Sequence, residues 1–226
     1  MRPVEKWQVG QNQVVAQYVP HNLAKPKLLE NFGNEPYYFC NYCDRVIPMV
    51  NLEIEHIQCV RFNSNLEHSW ANFLLACKNC NLAKSDTNVA PGNILLPQFQ
   101  NTWNCFIINN DGTIEADEFN ALAHNRALQV VELLGLNRGK FHPLRQDQDD
   151  RYDARRHALM IAKRALKHYE DQVENYLTDI IFQATSIGFW YVWMKTFENY
   201  PEVQDALIQH FNGTYANCRT TSVDRL

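Results

Sequence analysis

The chain carries two Cys-x-x-Cys pairs, Cys40/Cys43 in FCNYCD and Cys77/Cys80 in ACKNCN, separated by a 33-residue spacer. Each pair bends the backbone so that both sulfurs can face one ion, and two such pairs supply the tetrahedral four-thiolate set of structural zinc. The ion then ties together segments that the spacer would otherwise leave apart. Neither pair follows a strand in a βαβ unit, which argues against a thioredoxin-like redox role. The remaining cysteines, Cys59, Cys105 and Cys218, stand singly and read as small buried hydrophobes.

With 46% hydrophobic and 20% charged residues, the chain can bury a proper core. A net charge of −4 gives no support to a protein that coats nucleic acid non-specifically. The charge is unevenly spread, however. Nine Lys/Arg stand against four Asp between Arg138 and Lys167, whereas eight acids face three bases from Tyr169 onward. That asymmetry permits a basic face on an acidic molecule. The most apolar stretch, Ile180–Met194, is broken by Gln183, Thr185 and Ser186 and falls short of the roughly 20 residues a membrane span needs. The start shows no signal-peptide pattern, so the expectation is a cytoplasmic protein with no membrane segment.

The pattern predicts an α+β chain in three parts. Residues 1–35 form an N-terminal segment packing on the core or a partner, with a short helix near Asn22–Asn31. Residues 36–92 form the zinc-pinned core, in which LEIEHI alternates as a short strand, with Leu52, Ile54 and His56 on one side and Glu53, Glu55 and Ile57 on the other. Residues 93–226 begin with a β-hairpin, Trp103–Ile108 with Thr113–Glu115, around the turn signal NNDG. Helices fill the rest. One places Leu122, Ala127, Val130, Val131 and Leu134 on a face and stops at Gly135. One or two long ones cover about Asp147–Phe182, another spans Ile187–Phe197, and a last one starts at Pro201. The aromatic run GFWYVWMKTF reads first as core and second as a partner interface. Arg151, Arg155, Arg156, Lys163, Arg164 and Lys167 read either as a solvated face or as contacts along a nucleic-acid backbone.

A four-thiolate site is closed and does no chemistry, so reactive residues must come from the spacer and its flank. Glu55-His56 lies on the predicted strand, Asn72 precedes an apolar triplet, Asn81 follows Cys80 directly, and Lys84 comes three residues later. Cys40, Cys43, Glu55-His56, Asn72, Cys77, Cys80-Asn81 and Lys84 together resemble the HNH endonuclease family. The resemblance implies a ββα-metal core and hydrolysis of phosphodiester bonds to a 5′-phosphate product. DNA is the default substrate and RNA is open. It further implies His56 as general base, Glu55 and Asn81 as ligands of a catalytic Mg²⁺ or Mn²⁺, and Asn72 as the residue orienting the loop around His56. Lys84, Arg155 and Arg156 are the candidates for contacts to the substrate. His68 is a rival for the base, expected instead as an exposed side chain. Gln58-Cys59 stands where many relatives have proline, which leaves the substrate path open.

RPVEK, WANFLLACKNCN and VELLGLNR also look like a subgroup, the HNH nuclease of Septu-type and retron-linked bacterial anti-phage systems. That resemblance implies an ABC-type ATPase partner. The sequence shows no G-x-x-x-x-G-K phosphate-binding loop, so any nucleotide control is expected to come from another chain. The alternative from another class is a non-catalytic zinc-binding module that recognises nucleic acid or protein.

Overall fold

Leu52–His56 (β1) and Phe73–Cys77 (β2) form an antiparallel pair in which His56 faces Phe73, Glu55 faces Leu74 and Leu52 faces Cys77. Every residue of β2 is buried, so the strand reads as a continuous apolar run. β1 departs from the alternation expected of it. Leu52 and Glu55 are buried while Glu53 is exposed, because Glu55 has an internal cationic partner described below. Cys77 ends β2 and caps the helix Lys78–Lys84 (α2), its sulfur accepting from the Cys80 N–H at 3.5 Å. The ββα order expected of residues 36–92 is therefore present.

The computed structural model describes residues 1–6, 17–118, 121–144, 149–171 and 176–224, and of residues 121 and 122 the backbone alone. The hairpin forms as Phe106–Ile108 (β3) against Ile114–Ala116 (β4), turned at Gly112, whose φ is +89°. The helix Ala121–Leu134 (α3) ends at Gly135 with φ +58°, the left-handed residue that commonly terminates a helix. Ala127, Val130, Val131 and Leu134 are buried; the side chain of Leu122 lies outside the described residues. The long helical stretch is two helices, Arg151–Glu170 (α4) and Tyr176–Ile187 (α5), and the predicted start at Asp147 also lies outside the described residues. Trp190–Thr196 (α6) and Pro201–His210 (α7) complete the C-terminal half. Near the N-terminus, a 3-10 turn His21–Ala24 leads into the helix Lys25–Phe32 (α1).

One hydrophobic cluster takes residues from all three predicted parts, from Val4 and Phe32 through Leu75 to Trp193 and Phe211. Phe189, Trp190, Tyr191, Trp193, Met194 and Phe197 are all at most 3% exposed, so the aromatic run is core and offers no aromatic face to a partner. Gly188 seats this segment. At φ +79° it lies so close to the first cysteine knuckle that a Cβ would meet the Asp44 carbonyl at 2.6 Å and the Val46 nitrogen at 2.8 Å. The next residue, Phe189, donates its backbone N–H to the Asp44 carbonyl at 2.7 Å. Among the described residues no helix is long and apolar enough to cross a membrane.

Candidate metal centre and active site

The first knuckle turns tightly because Asp44 takes a left-handed φ of +60° and returns its N–H to the Cys40 carbonyl at 2.9 Å. Asn41, between the two cysteines, pins the knuckle to β2. Its backbone N–H donates to the Leu75 carbonyl and its side-chain oxygen accepts from the Leu75 N–H, each at 2.8 Å. The second pair comes from the β2–α2 junction. The sulfurs of Cys40, Cys43, Cys77 and Cys80 lie within 4.8 Å of one another, all four residues are buried, and Cys43 and Cys77 are 3.9 Å apart. Zinc–sulfur bonds of about 2.3 Å in a tetrahedron put the sulfurs about 3.8 Å apart, so this cluster could hold zinc with little movement. Hydrogen bonds from Cys40, Cys43 and Cys80 draw the Cys77 thiol far down, whereas burial pushes Cys80 up. Four sulfurs this close must share protons, and a dication is what allows all of them to be thiolates together.

Arg151, at the first turn of α4, reaches this cluster. Its Nη1 donates to the Cys80 sulfur at 3.1 Å, while Nε and Nη2 bind Asp149 at 2.9 and 2.7 Å. Burial works against the guanidinium charge, but Asp149 and the sulfurs of Cys80 and Cys43 raise its pKa above the ordinary value. No sequence signal separates Arg151 from its neighbours on α4, since its partner is 71 positions away.

His56, at the end of β1, is half-buried. Its Nε2 lies 2.9 Å from the Glu67 carbonyl. A carbonyl can only accept, so Nε2 carries the proton and Nδ1 keeps its lone pair. Burial lowers the pKa of the ring, outweighing the opposite pull of the Glu67 carbonyl, and a nearby His21 lowers it further. The imidazole is therefore neutral near pH 7 and able to take a proton. Asn72 fixes the loop that follows: its Oδ1 accepts from the Gln58 N–H at 2.8 Å and its Nδ2 donates to the Gln58 carbonyl at 3.0 Å. Both polar ends of the buried carboxamide are thus used across 14 residues. His68 is half-buried rather than exposed, with its Nδ1 enclosed.

The acids divide in an unforeseen way. Glu55 is 3% exposed and Lys84 is 1% exposed, and they form an ion pair of 2.6 Å. Lys84 also donates to the His56 carbonyl at 2.9 Å, and the Tyr42 hydroxyl donates to Glu55 at 3.3 Å. Burial raises the Glu55 pKa, with Lys84 and the Tyr42 hydroxyl pulling it back. Asn81, half-buried on α2, instead donates Nδ2 to the exposed Glu53 at 2.6 Å. Glu53, Glu55 and the Asn81 Oδ1 are hard oxygen donors of the kind Mg²⁺ takes. Glu55 would join such a set only by exchanging its ammonium partner for the cation.

Two of the expected substrate contacts are corrected by burial. Lys84 is enclosed by Glu55 and the His56 carbonyl, which leaves its ammonium inside the domain. Arg155 is 2% exposed, and its guanidinium donates to the carbonyls of Gly112 and Leu136 at 2.7 and 2.8 Å. There it ties the hairpin turn to α4 and to the loop after α3. Arg156 is exposed, as are Lys163, Arg164 and Lys167 further along α4. No curated protein and no solved structure matches the chain. Residues 40–87, which contain both cysteine pairs, the His56 strand and α2, match the family model described as HNH endonuclease.

Proposed function

We propose that the chain is a metal-dependent endonuclease that hydrolyses phosphodiester bonds in nucleic acid, with DNA as the default substrate. The observation that carries this reading is the Nε2 contact of His56 to the Glu67 carbonyl, inside the segment that matches the HNH family. It leaves a neutral, oriented imidazole with a free lone pair, which is what a general base toward water requires. His56 takes the proton of the attacking water through Nδ1, Asn72 holds the loop around it, and Asn81 with Glu53 and Glu55 would hold a divalent cation. When bound, that cation supplies charge stabilisation at the phosphate and the leaving oxygen. The four cysteines hold zinc in a structural role and keep β2 and α2 in register with the knuckle.

The test is cleavage of plasmid DNA and of RNA by the purified chain with Mg²⁺ or Mn²⁺, beside the His56→Ala protein. A cut DNA substrate whose cleavage His56→Ala abolishes supports the reading. Cleavage of neither polymer favours the alternative, a zinc-binding interaction module. The further reading, an effector subunit of an anti-phage complex with an ABC-type ATPase, is supported by RPVEK, WANFLLACKNCN and VELLGLNR alone. Its test is co-purification and activation of cleavage when such an ATPase is co-expressed.

A further inference from the structure

We propose that His21, which lies outside the HNH-matched residues, binds the scissile phosphodiester beside His56, so that residues 17–32 form a wall of the active site. This inference rests on the nuclease reading above. The His21 ring stands 5.0 Å from the His56 ring, edge to face at 68°, and both rings contact Phe73, at 6.5 and 5.2 Å. No other ring from outside residues 40–87 meets His56 among the described residues.

The placement is built by several contacts. Just before His21, Tyr18 donates its backbone N–H to the His68 carbonyl at 2.9 Å, Gln17 bridges to Ser69, and the Tyr18 ring lies 5.7 Å from Trp70. Just after it, Leu28 and Phe32 of α1 are fully buried. The 66–69 loop is thus held on one side by Tyr18 and on the other by the Glu67 contact to His56. One loop positions both imidazoles.

A packing role alone would not call for an imidazole. Phe73 already supplies the hydrocarbon face for His56, and His21 is half-buried rather than enclosed. A ring N–H at that place is a donor for a phosphate oxygen. A phosphorus poised for attack by a water on His56 lies about 3–3.5 Å from that water; with the two rings 5.0 Å apart, His21 is within reach of one of its non-bridging oxygens in this proposal. Arg61, an exposed arginine on the loop after His56, is paired with Asp86 at 2.7 Å, and Lys84 is buried against Glu55. Among the described residues, His21 is the N–H-bearing ring that stands beside His56.

The test uses the full chain with His21→Phe, which keeps a ring but no N–H, and His21→Gln, which keeps a donor. Two readouts are taken: binding of a fluorescein-labelled DNA duplex without added divalent cation, and kcat/KM for plasmid cleavage with Mg²⁺. His21→Phe is expected to weaken duplex binding about 10-fold, the loss of one charge-assisted contact. Its kcat/KM falls by at least as much at an unchanged melting midpoint, and His21→Gln recovers most of both. Wild-type behaviour of His21→Phe, or equal losses in both variants, would overturn the proposal. If the wild-type chain cuts nothing, the nuclease reading fails on its own, and the binding arm still decides whether His21 contacts DNA.

Discussion

The ammonium of Lys84 and the carboxylate of Glu55 meet at 2.6 Å, with neither side chain more than 3% exposed, beneath the strand that carries His56. A buried pair of this kind contributes little net stability compared with an apolar replacement, but removing one partner strands the other charge. Lys84→Met and Glu55→Leu are each expected to lower unfolding stability by about 3–5 kcal/mol. The double variant is expected to regain most of that loss. Urea titration of the two singles and the double measures the coupling directly, and additive losses would show that the pair does not act as one.

For the cysteine cluster, the expected outcome is one zinc per chain by elemental analysis, lost in Cys80→Ser. Metal binding and folding are one equilibrium when the site joins separate segments. A strong chelator is therefore expected to lower the melting temperature of the whole chain. An unchanged melting curve after zinc removal would show that the cluster does not staple the fold.

If His56 is the general base proposed above, it sets the acid limb of activity. Its pKa in the folded chain lies below the ordinary imidazole value of about 6.5, through burial first. On that reading the active form is the neutral one, so kcat/KM rises with pH and has its midpoint below that value. The linkage has the same sense. The unfolded chain binds the proton more readily, so the contribution of His56 to stability is present above about pH 6.5 and is lost as pH falls through its folded pKa. His56→Ala is expected to cut the rate by about 10²–10⁴-fold and to remove this limb.

Arg155 and Arg156 are neighbours with opposite fates. Arg155→Ala leaves the carbonyls of Gly112 and Leu136 without a donor and is expected to cost about 1–3 kcal/mol of stability. Arg156→Ala is expected to leave stability within about 0.5 kcal/mol. If α4 follows the backbone of the substrate, it lowers the salt slope of DNA binding by about one. Thermal melts and a salt titration of both variants separate the two roles.

Much of this architecture was legible locally. The cysteine spacing announced the cluster, NNDG announced the hairpin, and Gly135 announced the end of α3, because each signal lies within a few residues of what it dictates. What could not be read were relationships set by tertiary approach. The alternation of LEIEHI puts Glu55 on the same side as Glu53, yet only the folded chain shows that Lys84 draws one acid inward while Asn81 meets the other at the surface. Arg151 and Arg155 look like any solvated arginines until their distant partners, Cys80 and Gly112, are known. His21 stands just before the short helix expected near Asn22–Asn31, where no motif marks it, and its position beside His56 comes from the pairing of Gln17 and Tyr18 with the 68–69 loop.

The absence of a Cβ at Gly188 has a reach beyond its own turn. It lets the aromatic core of the C-terminal half rest directly on the backbone of the first knuckle, while Arg151 from the same half supplies a donor to the sulfur of Cys80. The stretch that matches the family is therefore no cassette. Cut out at its own borders, it would leave a thiolate without its guanidinium and a bare peptide surface where Phe189 now binds, and a graft of those 48 residues into another scaffold would have to carry both props with it.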